Sequence, residues 1–165
     1  MTVKKLLLAQ LAACTDKNGW FVAMKSAVAG LTAEQAAWKP DASAHSIWQI
    51  VNHLQFWNER YLRRFQGKPV SKVGENAATF DSEPATGSET QWQAACARYE
   101  AMMAEWQKDI EAADDSKLAG PVRPDATDTW DTNIAQMSIH TAHHIGQIVT
   151  MRRAQGSWDI AKGVS

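Results

Sequence analysis

Apolar residues recur at intervals of three and four over four long stretches of the chain, the repeat of one helical face. Val3, Leu6, Leu7, Leu11 and Cys14 open the first, which the spacing predicts as a helix over Val3–Ala29. Asn18-Gly19 weakens its middle, because glycine costs about 1 kcal/mol there relative to alanine, and Gly30 ends it. Thr32-Ala33-Glu34-Gln35 has the spacing of a capping box for a short turn that Pro40 stops. Ser46-Ile47-Trp48-Gln49 is a second box and starts a helix running to Gln66. Ser88-Glu89-Thr90-Gln91 is a third, and its helix runs to Ala113. The fourth helix is expected over Trp130–Gln155, with Gly156 beyond it. Residues 67–87 and 116–129 hold Gly, Pro, Ser and Asp and are expected as loops. No stretch alternates as a strand does. An all-α fold follows, a four-helix bundle formed by one domain over residues 1–165.

Composition narrows the classes. The 165 residues are 45% hydrophobic and 21% charged, ordinary for a folded globular chain and unlike a disordered one. Lys and Arg number 17 against 18 Asp and Glu, a net charge of −1 that speaks against nucleic acid as a partner. Arg60, Arg63, Arg64, Arg152 and Arg153 are the basic residues left for such a reading, and helix-end arginines are ordinarily solvated. No apolar run reaches the ~20 residues of a membrane-spanning helix, so no membrane partner is expected. A cytoplasmic protein is the expectation. The other reading is a lipoprotein processed before Cys14, since Leu11-Ala12-Ala13-Cys14 follows Lys4, Lys5 and a short apolar stretch. Cys14 and Cys96 form no CxxC pair, which excludes a disulfide framework or a cysteine-rich zinc site.

The histidines carry the chemical signal. With about 100° per residue, Ile134, Met137, Thr141 and Ile148 make the apolar stripe of the fourth helix. His140 and His144 fall on or beside it, and His143 falls about 120° away, towards solvent. In the second helix His53 edges the face of Ile50, Leu54, Trp57 and Tyr61, while His45 precedes the cap and is expected exposed. Residues four apart sit one above the other, so two imidazoles can grip one ion. A third from a facing helix would leave one coordination position for water or substrate, as in catalytic sites. The alternative from spacing alone is three core histidines bonded to carbonyls or hydroxyls. The HExxH glutamate of zincin proteases is absent, as are GxSxG and P-loop motifs.

At these residues the chain resembles the DinB-like superfamily, also called the DinB/YfiT-like metalloenzymes. Three pieces carry the resemblance: Gly30-Leu31-Thr32 with Trp38-Lys39-Pro40, the segment Ser46–Leu54, and His140–Ile148 with Arg152 one turn on. It implies a four-helix bundle holding a divalent metal on His53, His140 and His144, with Zn or Ni expected first and Fe or Mn as alternatives. It also implies a homodimer, to which Trp20 or Trp158 would lend a face. The expected activity is metal-dependent, a thiol-dependent S-transferase using a low-molecular-weight thiol or a hydrolase acting on a small molecule. The competing expectation is a non-catalytic bundle in which the metal is structural, sensed or sequestered. Around the ligands, Gln147 is a candidate to bond backbone or a ligand histidine, Trp57 to wall the site and Gly146 to permit close helix packing, with ordinary packing the favoured alternative for each.

Overall fold

The computed structural model describes residues 2–162, and within them the helices account for all named regular structure apart from one isolated bridge, Pro121 with Thr129. Four helices are long: α1 (Val3–Thr15), α4 (Ile47–Phe65), α5 (Glu89–Ala112) and α7 (Trp130–Ala154). Short helices α2 (Met24–Val28), α3 (Ala33–Ala37) and α6 (Asp115–Ala119) fill the connections. Two 3-10 turns complete the list, at Asn76–Asp81 and Ile160–Lys162. All three capping boxes form, with Gln35, Gln49 and Gln91 each reaching back to the backbone N–H of Thr32, Ser46 and Ser88.

The first predicted helix is two helices. Residues 16–23 leave the helical path between α1 and α2. The Asn18 side chain accepts from the Ala23 N–H (3.0 Å), and Gly19 N–H donates to the Phe21 carbonyl (3.0 Å). Asn and Gly here build a turn rather than merely weakening a helix, which is the commoner use of that pair.

The main helix contacts run α1 to α5, α5 to α4, α4 to α7 and α7 back to α1. Thus α1 and α4, consecutive long helices, lie across the bundle from one another, and the chain between them carries α2 and α3. The core is rich in tryptophan: Trp48, Trp92, Trp106 and Trp130 are buried. Trp92 Nε1 donates to the Leu31 carbonyl and Trp106 Nε1 to the Asn58 carbonyl, each at 3.0 Å. Trp20 stands 98% exposed. Cys14 lies in the core with its thiol donating to the Ser138 carbonyl, and burial raises its pKa to about 11. None of the described helices is long and apolar enough to cross a membrane.

Arg152 departs from the solvated helix-end arginine expected. It is 4% exposed. Its guanidinium donates to the carbonyls of Ala27 (2.7 Å), Ala29 (3.0 Å) and Ser157 (2.7 Å) and lies 5.2 Å from the centre of the Trp158 ring. The carbonyl end of α2 carries partial negative charge, so it suits a buried cation. Arg152 therefore ties α2 and the turn after α7 to the bundle, and it occupies one face of Trp158.

Candidate metal centre

The site lies where α4 meets α7. His53 comes from α4, His140 and His144 from successive turns of α7, and one ring nitrogen from each lies within 4.8 Å of the other two. His140 Nε2 is 3.2 Å from His53 Nε2 and 3.0 Å from His144 Nε2. His53 and His144 are buried; His140 is half-buried. His143 is exposed, as its position on the helix predicts.

The outer nitrogens fix the tautomers. Thr79 spends its only hydroxyl proton on the Asn76 carbonyl (2.6 Å), so its oxygen accepts from His53 Nδ1–H (2.6 Å). Gln147 Oε1 can only accept, and it takes the Nδ1–H of His144 (2.7 Å) while its amide donates to His143 Nε2. Both Nε2 atoms therefore aim lone pairs at His140 Nε2. That nitrogen carries at most one proton, which can satisfy one lone pair and not two. Converging lone pairs at about 3 Å repel unless a cation lies among them. The N···N edge of a tetrahedron with Zn–N bonds of 2.0–2.1 Å is about 3.3 Å, close to the separations found. Burial first, and the neighbouring rings second, lower the pKa of His53 to about 3. Burial is also the main cause that lowers His144 to about 4 and depresses His140. All three imidazoles are thus neutral near pH 7, the form that ligates. The donor set and its protonation fit a divalent ion.

The surroundings were only partly foreseeable. Gln147 bonds a clustered histidine, and Trp57 walls a cleft of about 300 Å³ that reaches His140. Three features differ from expectation. His45 is half-buried and stacks on Phe80 (3.7 Å, 2° between planes), which stacks in turn on His53 (3.9 Å, 9°). Gly146 does not serve close packing: a Cβ there would meet nothing within 4 Å, because the residue borders an open cleft of about 640 Å³ that reaches His144. The loop 67–87 contains the turn Asn76–Asp81, which supplies Thr79 and Phe80.

That turn docks on the polar positions of α4. Gln49 donates to Asp81 Oδ1 (2.6 Å), Asn52 to the Glu83 carbonyl (2.9 Å), and Trp57 Nε1 to Asn76 Oδ1 (3.1 Å). Gln49, Asn52 and His53 are polar yet buried among Ile50, Val51 and Leu54. Buried polar groups need partners, so such a run signals that a further segment must cover it. The sequence holds that signal, but not which residues answer it.

A family model described as the DinB superfamily matches residues 22–148. The chain belongs to the DinB superfamily. No curated protein matches it. Among solved structures it is similar to YfiT from Bacillus subtilis, described as "a probable metal-dependent hydrolase with an unusual four-helix bundle topology". That likeness has a TM-score of 0.64 at 18% identity and covers 95% of this chain and 85% of the other, so it speaks to the fold. In this DinB-superfamily chain the histidine cluster lies within the matched residues.

Proposed function

We propose that the protein is a metal-dependent hydrolase of small molecules, with one divalent ion held by His53, His140 and His144. The observation that carries this reading is the convergence of neutral imidazoles whose outer N–H groups are tied to Thr79 and Gln147. Its support over a purely structural metal is access: open clefts reach His144 on one side and His140 on the other. The description of YfiT points the same way.

A divalent ion held by His53, His140 and His144 would supply Lewis acidity suited to hydrolysis near neutral pH. The remaining work belongs to the chain. Thr79 and Gln147 hold two imidazoles in the ligating tautomer and keep the rings from rotating. Phe80 covers the face of His53 and excludes water from it. Replacing water by a low-dielectric wall strengthens each electrostatic contact in the site. Trp57 and Phe80 supply the apolar surfaces against which a substrate body can lie. Zn and Ni suit a three-imidazole set, and Fe is also compatible with nitrogen donors. Transfer to a low-molecular-weight thiol would use the same histidines.

Elemental analysis of untagged protein, purified without immobilised metal, tests the reading beside His53→Ala and His144→Ala. About one equivalent of ion per chain is expected in the wild type and loss in both variants. Metal-loaded wild type should then hydrolyse members of an ester and amide panel at rates both variants fail to reach. A wild type that takes up no ion would overturn the proposal.

A further inference from the structure

The two clefts that reach the clustered histidines share a property. Among the described residues, neither is lined by an Asp, Glu, Lys or Arg side chain. The larger is walled by His45, Phe80, His143, Gln147, Thr150 and Met151, together with smaller and apolar neighbours. The smaller is walled by Trp57, Tyr61, Asn76, Asn133 and Gln136 beside His140 and Met137. By contrast, a third surface groove of about 310 Å³ holds Glu59, Arg60, Arg63 and Lys72, and none of the clustered histidines borders it. The sequence has 17 basic and 18 acidic residues, and among the described residues none of their side chains lines either approach to the histidines.

From this we infer that the substrate is uncharged away from the group that meets the ion, and that its body lies in the larger cleft. The inference rests on the proposed metal centre and names the class of molecule that centre accepts. Three neutral imidazoles leave an ion its full charge, so the coordination position itself favours an anionic or strongly polar donor. Further out along the cleft nothing compensates a second negative charge. A carboxylate or phosphate moved there from water loses hydration and gains no ion pair or guanidinium fork in return. An amide, ester, ether or aromatic group loses far less and finds matching partners. The Phe80 ring and Met151 offer apolar surface, and the Thr150 hydroxyl oxygen offers an uncharged hydrogen-bonding atom. The Thr150 proton is already given to the Gly146 carbonyl (2.9 Å), which leaves its oxygen as an acceptor for a substrate N–H or O–H. Peptide-like thiols that bear several carboxylates fit this wall poorly; a neutral amide or ester fits it.

The test uses two ligands that share one chelating group. Metal-loaded protein is titrated by calorimetry with benzohydroxamate and with its para-carboxylate analogue. The wild type is expected to bind the carboxylate at least about tenfold more weakly, the effect of one uncompensated charge worth about 1.4 kcal/mol. Thr150→Lys places an ammonium on the cleft wall and is expected to close or invert that gap. Equal or tighter binding of the carboxylate by the wild type would overturn the inference. So would an unchanged gap in Thr150→Lys, because the ligand body would then lie elsewhere. Neither compound binding to protein that carries a full equivalent of ion would also overturn it. Failure of the metal centre itself is read separately, as absence of ion in elemental analysis before any ligand is added.

Discussion

Thr79 is the residue on which the tautomer of His53 depends, and no sequence motif marks it. Its hydroxyl is a relay: it donates to the Asn76 carbonyl and accepts from the imidazole. Thr79→Val keeps the shape and removes the acceptor, leaving the His53 Nδ1–H buried without a partner. Partners of this kind alter metal affinity by about 10–100-fold when lost, and a competitive chelator titration should show a loss in that range. Thr79→Ser, which retains the hydroxyl, should recover most of it. His53, His140 and His144 could be picked from the sequence because helix geometry places them on inward faces. Thr79, Phe80 and His45 could not, because they lie outside the long helices, Thr79 and Phe80 in a single 3-10 turn and His45 before α4, where no apolar repeat marks an inward face.

The helices differ in how plainly their ends are written. Three capping boxes pair a hydroxyl with a glutamine three residues on, and each begins its helix where the spacing says. Ser46→Ala removes the cap of α4, the helix that carries His53, and should cost about 1 kcal/mol in urea denaturation. The end of α1 is less plainly written, since its apolar spacing runs on past Thr15 and the turn is made by the Asn18 side-chain bond and the Gly19 N–H bond to the Phe21 carbonyl. Arg152 illustrates the opposite difficulty. Its place in the last turn of α7 reads as a solvated cation, but its function is tertiary. A lysine cannot serve three carbonyls in the same fork, so Arg152→Lys should lower stability by about 1–3 kcal/mol and loosen α2, measurable as faster amide exchange over residues 24–28.

Taken as one body, the bundle sets the pH range in which the site exists. The folded protein without metal holds His53 and His144 well below the ordinary histidine range, so the unfolded chain binds more protons between the two values. Stability is then complete above about pH 6.5 and falls as the pH drops towards 4, because each proton taken up favours the unfolded chain. Denaturation midpoints of chelator-treated protein at pH 8, 6 and 5 should decrease in that order. Metal-loaded protein should show a higher midpoint at pH 8, since an ion that binds only the folded form stabilises it, and the difference should vanish at low pH as protons displace it. Four helices could be read from periodicity because each has a dry face. The order in which they surround the core could not, since that depends on contacts between α1 and α7 and between α4 and α5 that no local pattern encodes.

The separation between His53 and His140 has a kinetic meaning. They stand 87 positions apart, whereas His140 and His144 share one turn. An unfolded chain can present the α7 pair to an ion as soon as that helix flickers into being. Recruiting His53 means closing a loop whose entropy cost is about 4 kcal/mol, and only the assembled bundle has already met it. Full affinity for the proposed ion would therefore need the assembled bundle, and a half-made chain would let the ion go. Ion retention becomes a certificate of correct assembly, and the rate at which a chelator strips the ion should track the rate at which α4 parts from α7.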